Sequence, residues 1–168
     1  MSTLTVDNIV GATTAANVKL PEGYILQVKN TNANTRTTHS STSYQVADDI
    51  VATITPKYAT SKILVMMNVM ARTYNNSGAD SSIKVGFSRD GGSTIISPIR
   101  TRAYDYGNNG LIIESSVSAD FLDSPATTSA TTYKLQCAAV NGTARVGGRQ
   151  NNTDIAVPTN ITVMEISV

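Results

Sequence analysis

His39 is the only histidine in the chain and Cys137 the only cysteine, so nucleophilic or metal chemistry would have to run through one or both. His39 lies in the polar run Thr37-Thr38-His39-Ser40-Ser41, with no acid or thiol beside it, and a Ser-His-Asp or Cys-His site would depend on this single imidazole. Cys137 sits in Leu135-Gln136-Cys137-Ala138-Ala139, which reads as a buried strand where a thiol packs as a small apolar group. A lone cysteine forms no intrachain disulfide, and one histidine with one cysteine makes a poor zinc site. The sequence contains no GxSxG elbow, phosphate-cradling glycine loop, dinucleotide fingerprint, HExxH or CxxC. Carboxylates are more numerous: Asp48, Asp49, Asp80, Asp90, Asp105, Glu114, Asp120, Asp123 and Asp154 could converge as a glycosidase pair or a calcium site. On an extended strand Asp48 and Asp49 point to opposite faces. Most of the others fall at strand ends, where turn chemistry accounts for them. The expectation is a protein that is not an enzyme and has no metal or cofactor.

Recognition is the remaining chemistry. The segment from Arg100 to Gly110 gathers Arg100, Arg102, Tyr104, Tyr106, Asn108 and Asn109, and large Tyr and Arg side chains on an adaptable Asn/Gly loop make a candidate recognition surface. The plainer alternative is a solvated loop whose tyrosines lie on the sheet. Thirteen basic residues against twelve acidic ones leave a formal net charge of +1. Lys19, Lys29, Arg36, Lys57 and Lys62 come singly, so no basic stripe is legible that would neutralise a row of phosphates, and no nucleic-acid partner is expected. No apolar run approaches the roughly 18 residues of a membrane span, nor does the N-terminus have the form of a secretory signal. The chain is therefore expected to be made in a cytoplasm, with no membrane partner.

Stepping along the chain, 54 Ser, Thr and Asn residues supply the polarity, a composition that favours strands and turns over helices. Residues 1–21 read as an extended N-terminal arm, with Leu4, Val6, Ile9 and Val10 as apolar points that could dock on a neighbour. From residue 22 to residue 168, short β-like runs alternate with turn signals, giving about 8–9 strands of an antiparallel β-sandwich or jelly roll. The stretch Asn30 to Ser43 reads as a long polar loop. Asp90-Gly91-Gly92 and Asn141-Gly142 read as tight hairpin turns. Lys62 to Met70 is apolar on both faces, which calls for cover on its outer side. Met66, Asn68 and Met70 are the candidate subunit interface. The closing run Ile161 to Val168 is expected to pair inside a sheet.

Several of these segments, taken in order, resemble a family. Ser2-Thr3-Leu4-Thr5-Val6-Asp7-Asn8-Ile9 through Val18-Lys19-Leu20-Pro21 is similar to the start of small tail-fibre-like virion proteins of tailed bacteriophages infecting marine and freshwater bacteria. Ser61-Lys62-Ile63-Leu64-Val65, Phe87-Ser88-Arg89-Asp90-Gly91, Asp123-Ser124-Pro125 with Thr132-Tyr133-Lys134-Leu135-Gln136, and Ile161-Thr162-Val163-Met164-Glu165-Ile166 are similar in order and spacing to the same group. The resemblance implies a trimeric β-sandwich that works as a virion structural protein and carries no catalytic residues. The expected function is capsid decoration or cement, with partners being sister copies and the major capsid protein or another virion protein. Two alternatives stand beside it. One is a tail-fibre or receptor-binding tip that engages a cell-surface glycan through the Arg100 to Gly110 loop; the other is a carbohydrate-binding module or depolymerase.

Overall fold

The computed structural model describes residues 21–33, 36–75, 80–104, 111–147 and 159–168. Within them lie ten strands: β1 (Ile25–Ala33), β2 (Thr37–His39), β3 (Gln45–Ile54), β4 (Lys62–Asn75), β5 (Asp80–Arg89), β6 (Ile96–Tyr104), β7 (Leu111–Asp123), β8 (Thr131–Asn141), β9 (Thr143–Val146) and β10 (Thr159–Ile166). Every pairing is antiparallel.

The chain is folded as hairpins nested one inside the next. β5 pairs with β6, β4 with β7, β3 with β8 and β1 with β10. Closing this nest into two layers gives sheet A in the order β1-β10-β4-β7 and sheet B in the order β3-β8-β5-β6, which is the jelly roll. Strand β4 is long enough to border two partners along one edge. Its first half pairs with β10, while Ala71 to Tyr74 pair with β9, and β2 lies outside β9.

Period-two alternation explains the core. Ile63, Val65, Met67 and Val69 of β4, with Ile161 and Val163 of β10, point inward from sheet A. Ile83, Val85 and Phe87 of β5, Leu135 and Cys137 of β8, and Ile50 and Ile54 of β3 meet them from sheet B. Each such aliphatic or aromatic side chain, fully withdrawn from water, contributes about 1.5–3 kcal/mol.

The expected hairpin at Asp90-Gly91 is present, with both residues at positive φ (55° and 72°) and Gly92 N donating to Arg89 O at 3.0 Å. Three expectations need correction. The polar stretch from Asn30 to Ser43 is not one long loop: Asn30, Thr31 and Asn32 extend β1 against Thr162, Ile161 and Asn160, and Thr37 to His39 form β2. Backbone pairing with neighbouring strands supplies what their polar side chains do not. The turn at Asn141-Gly142 does not close a hairpin. It carries the chain across the sandwich, from β8 in sheet B to β9 in sheet A. The strands among the described residues number ten rather than eight or nine, because Thr37 to His39, in the stretch expected to be loop, form β2.

Candidate functional site

The two outer faces of the sandwich differ. On sheet B, the segment leading into β6 lies over the strands: a Cβ placed at Gly86 would come 2.5 Å from Ile95 Cγ2. Beneath that segment Ser88 and Gln136 are buried, Gln136 donating from Nε2 to Ser88 Oγ at 2.6 Å and to Gly92 O at 3.0 Å.

Sheet A carries apolar side chains outward instead. Residues directly opposite in an antiparallel pair share a face, and the register aligns Val28 with Met164, Met164 with Leu64, and Leu64 with Leu122. The result is an apolar row across four strands, ending in Val28 at 49% and Leu122 at 46% exposure. Met66 and Met70 continue along β4 on the same face, half-buried, with exposed Asn68 between them accepting a bond from Ser116 Oγ at 2.9 Å. The three candidate interface residues therefore share the outer face of sheet A. Ile25 and Ile166, paired with each other, extend the apolar surface along the strands from Val28 and Met164. Beside them Ser167 Oγ donates to the Pro21 carbonyl at 2.6 Å, which fixes where residues 1–20 join the body. The docking residues Leu4, Val6, Ile9 and Val10 lie outside the described residues.

The other end of the same face is cationic. Arg72 of β4 stands directly opposite Arg145 of β9. Thr38 of β2 pairs with Arg145 on the far side, and the charge of Arg36, just before β2, acts on Arg145. Glu114 of β7, opposite Arg72, is the carboxylate of this row. Arg72 is only 7% exposed, and Arg145 Nε is buried with no hydrogen-bond acceptor among the described residues. Partial burial, and then the charges of Arg36 and Arg72, hold the Arg145 guanidinium below its usual range. Nothing in the sequence signals this group. Its members are isolated basic residues far apart in the chain, and only the pairing of β2, β9 and β4 gathers them.

The expected recognition residues are arranged differently. Arg102 Nε donates to Asp80 Oδ1 at 3.0 Å, Arg100 Nη2 donates to Ser82 Oγ at 3.0 Å, and Arg100 also lies 3.9 Å from Asp80 Oδ2. Burial works against the Asp80 carboxylate, but bonds from Ser82 and Arg102 and the charges of Arg102 and Arg100 outweigh it and hold its pKa below the usual range. Arg100 and Arg102 belong to strand β6, and their positive ends are engaged on sheet B. Tyr104 is the last residue of β6, while Tyr106, Asn108 and Asn109 lie outside the described residues.

His39 Nε2 faces the Val46 carbonyl at 3.2 Å, and Cys137 is fully buried, its thiol pushed up to about 12 by burial. A thiol held protonated is a weak nucleophile. Among the described residues no three His, Cys, Asp or Glu side chains gather as a metal site would require. Asp105 and Asp154 lie outside the described residues. Two carboxylates are structural. Asp123 accepts bonds from Arg89 and Tyr133, and Glu165, fully buried, accepts from the backbone N–H groups of Lys57 (2.7 Å) and Tyr58 (3.3 Å) and from Gln27 Nε2 (2.6 Å). No protein-family model matches the chain, and no curated protein matches it in sequence.

Proposed function

We propose that this chain is a non-enzymatic structural protein of a tailed-phage virion, a homotrimer that decorates the capsid and is latched by its N-terminal arm. The observation that carries the reading is the apolar row Val28, Met164, Leu64 and Leu122 on the outer face of sheet A, whose end residues Val28 and Leu122 are about half exposed. A contiguous exposed apolar patch of this kind marks an interaction surface. Methionine and arginine, both present on this face, are enriched where proteins meet. The occupant is a sister copy. Pro21, where the arm with Leu4, Val6, Ile9 and Val10 ends, is bonded to Ser167 next to Ile166 on this apolar face, and that proximity supports the latch. The jelly roll supports the reading only by analogy, since viral capsid domains and lectins both use it. A receptor-binding tip working through Arg100 and Arg102 draws less support, because Asp80 and Ser82 already hold both guanidinium groups.

The test has two parts. Sedimentation velocity of the full chain is expected to give a trimer, and Leu122→Asp, at an exposed position, a folded monomer. A wild-type monomer at high micromolar concentration overturns the assembly. Deleting residues 1–20 is expected to abolish incorporation into particles while leaving the circular dichroism of the sandwich intact. Unchanged incorporation overturns the latch. Cryo-electron microscopy density on the head lattice supports decoration, and density confined to the tail defeats it.

A further inference from the structure

We propose that the cleft at the β5–β6 turn, lined by Arg89, Gly92, Thr94 and Ile96, binds an uncharged sugar unit. The inference goes beyond the virion reading and does not rest on it.

The cleft has a volume of about 350 Å³, at the lower end of the roughly 300–1,000 Å³ usual for ligand sites, which suits a single sugar ring better than a length of chain. Its lining is held rigidly. Gln136 and Ser88, both buried, are bonded to each other, and the second Gln136 bond takes the Gly92 carbonyl. Polar side chains withdrawn from water are costly unless paired, and here their pairing pins the segment that lines the cleft. Arg89 is equally fixed. Its Nε and Nη2 donate to the buried Asp123 carboxylate, which leaves Nη1 and the other Nη2 hydrogen without an acceptor among the described residues, on a side chain 38% exposed. Those N–H groups make a second planar fork, preorganised because the first is engaged. The charges nearby balance. The negative charges of Asp123 and Asp90 act on Arg89, and the Lys134 ammonium lies beside Gly91, 3.4 Å from where a Cβ would stand. Two positive and two negative groups give an ion of either sign no advantage. The Arg89 fork, the hydroxyl of exposed Thr94 and the Ile96 side chain instead match adjacent ring hydroxyls, a further hydroxyl and a C–H face. None of the four lining residues is aromatic, so no ring stacks on the sugar and the expected affinity is millimolar. Such a unit reaches the protein either as a free sugar or as the end of a glycan chain, and the two share the chemistry read here.

Amide NMR shifts of the full chain test this on titration with glucose, galactose, mannose and N-acetylglucosamine and with the methyl glycoside of each. Saturable shifts at Gly92, Thr94 and Ile96 are expected with at least one sugar at millimolar concentration. Thr94→Val removes the hydroxyl at nearly constant volume and leaves the Arg89–Asp123 pair alone; it is expected to weaken binding about two- to tenfold, the value of one neutral hydrogen bond. Thr94→Trp fills the cleft from an exposed position and is expected to abolish binding, with the circular dichroism and Tm of the sandwich retained. A residue that merely shapes the turn would leave sugar binding unmoved in both variants. Methyl glycosides that bind as tightly as the reducing sugars assign the unit to the end of a glycan chain, whereas binding of the reducing sugars alone assigns it to the free sugar. Glucuronate is expected to bind no more tightly than glucose, and tighter binding overturns the uncharged class. No saturable shift with any of the sugars overturns the proposal, as does binding that survives Thr94→Trp unchanged.

Discussion

The Tyr133 hydroxyl donates to Asp123 Oδ2 at 2.5 Å, tying β8 of sheet B to the end of β7 in sheet A. Arg89 of β5 donates to the same oxygen through Nε at 2.9 Å and to Oδ1 through Nη2, so one carboxylate holds two strands of the opposite sheet. Tyr133 is fully buried. Removing only its hydroxyl, as Tyr133→Phe, is expected to cost about 1–3 kcal/mol, a fall of roughly 3–10 °C in Tm for a chain of this size. Asp123→Ala strands both donors and is expected to cost more, about 3–5 kcal/mol. Equal losses in differential scanning calorimetry would show that the two donors do not act through the shared carboxylate.

Alkaline conditions should open the sandwich. Burial, then the bond to Asp123 and its charge, push the Tyr133 phenol far above its usual range, and burial pushes the Cys137 thiol up to about 12. Both groups therefore ionise sooner in the unfolded chain than in the folded one. Their stability is whole below the unfolded pKa values, about 8.5 for Cys and about 10 for Tyr, and is lost as pH climbs above them. Urea midpoints measured from pH 8 to 11 are expected to fall for the wild type. The fall should be shallower for Cys137→Ala from about pH 9 and for Tyr133→Phe above about pH 10. Parallel pH profiles for the three proteins would contradict this.

Glu165 is a carboxylate in the core whose partners are two backbone amides and one side-chain amide. Glu165→Gln keeps the volume but turns one end into a donor facing donors, which is expected to cost about 1.5–3 kcal/mol. Hydrogen exchange should locate the damage at the Lys57 and Tyr58 amides. Protection at those two sites equal to the wild type would refute the assignment.

Two glycines at positive φ should answer differently to alanine. Gly23 (φ +85°) has nothing within 4 Å of a built Cβ, so Gly23→Ala is expected to cost only the left-handed backbone penalty, roughly 1–2 kcal/mol. Gly142 (φ +76°) would put its Cβ 2.1 Å from the Tyr74 carbonyl oxygen. Gly142→Ala must therefore displace β4 or the crossing from β8 to β9, and is expected to unfold at a distinctly lower urea concentration than Gly23→Ala.

The fold class was legible because alternation is local: Ile83-Lys84-Val85-Gly86-Phe87 reads as a half-buried strand with no knowledge of its neighbours, and the Asp90-Gly91 turn announces its own geometry. The end of β1 is not legible in the sequence because Asn30 and Asn32 carry no apolar signal, and their place is fixed by pairing with β10. The outward greasiness of β4 at Leu64, Met66 and Met70 was readable. That Val28 and Leu122 complete a row with it was not, since Val28 and Leu122 come from strands far apart in the chain. Arg145 was missed for the same reason. A cluster made by register leaves no trace in spacing, while Arg100 and Arg102, close in sequence, drew attention to residues whose charge Asp80 already answers.

The nesting of the strands also dictates an order of events as the chain is made. The pair β5–β6 closes over a short connection, whereas β10 follows every other strand and must slide between β1 and β4. Until it does, β1 has no neighbour in its layer among the described strands, and the growing chain exposes unpaired edges open to wrong partners. Maturation on this plan is slow and late, as expected where closure depends on residues distant in sequence, and the half-made molecule stands to gain most from a chaperone.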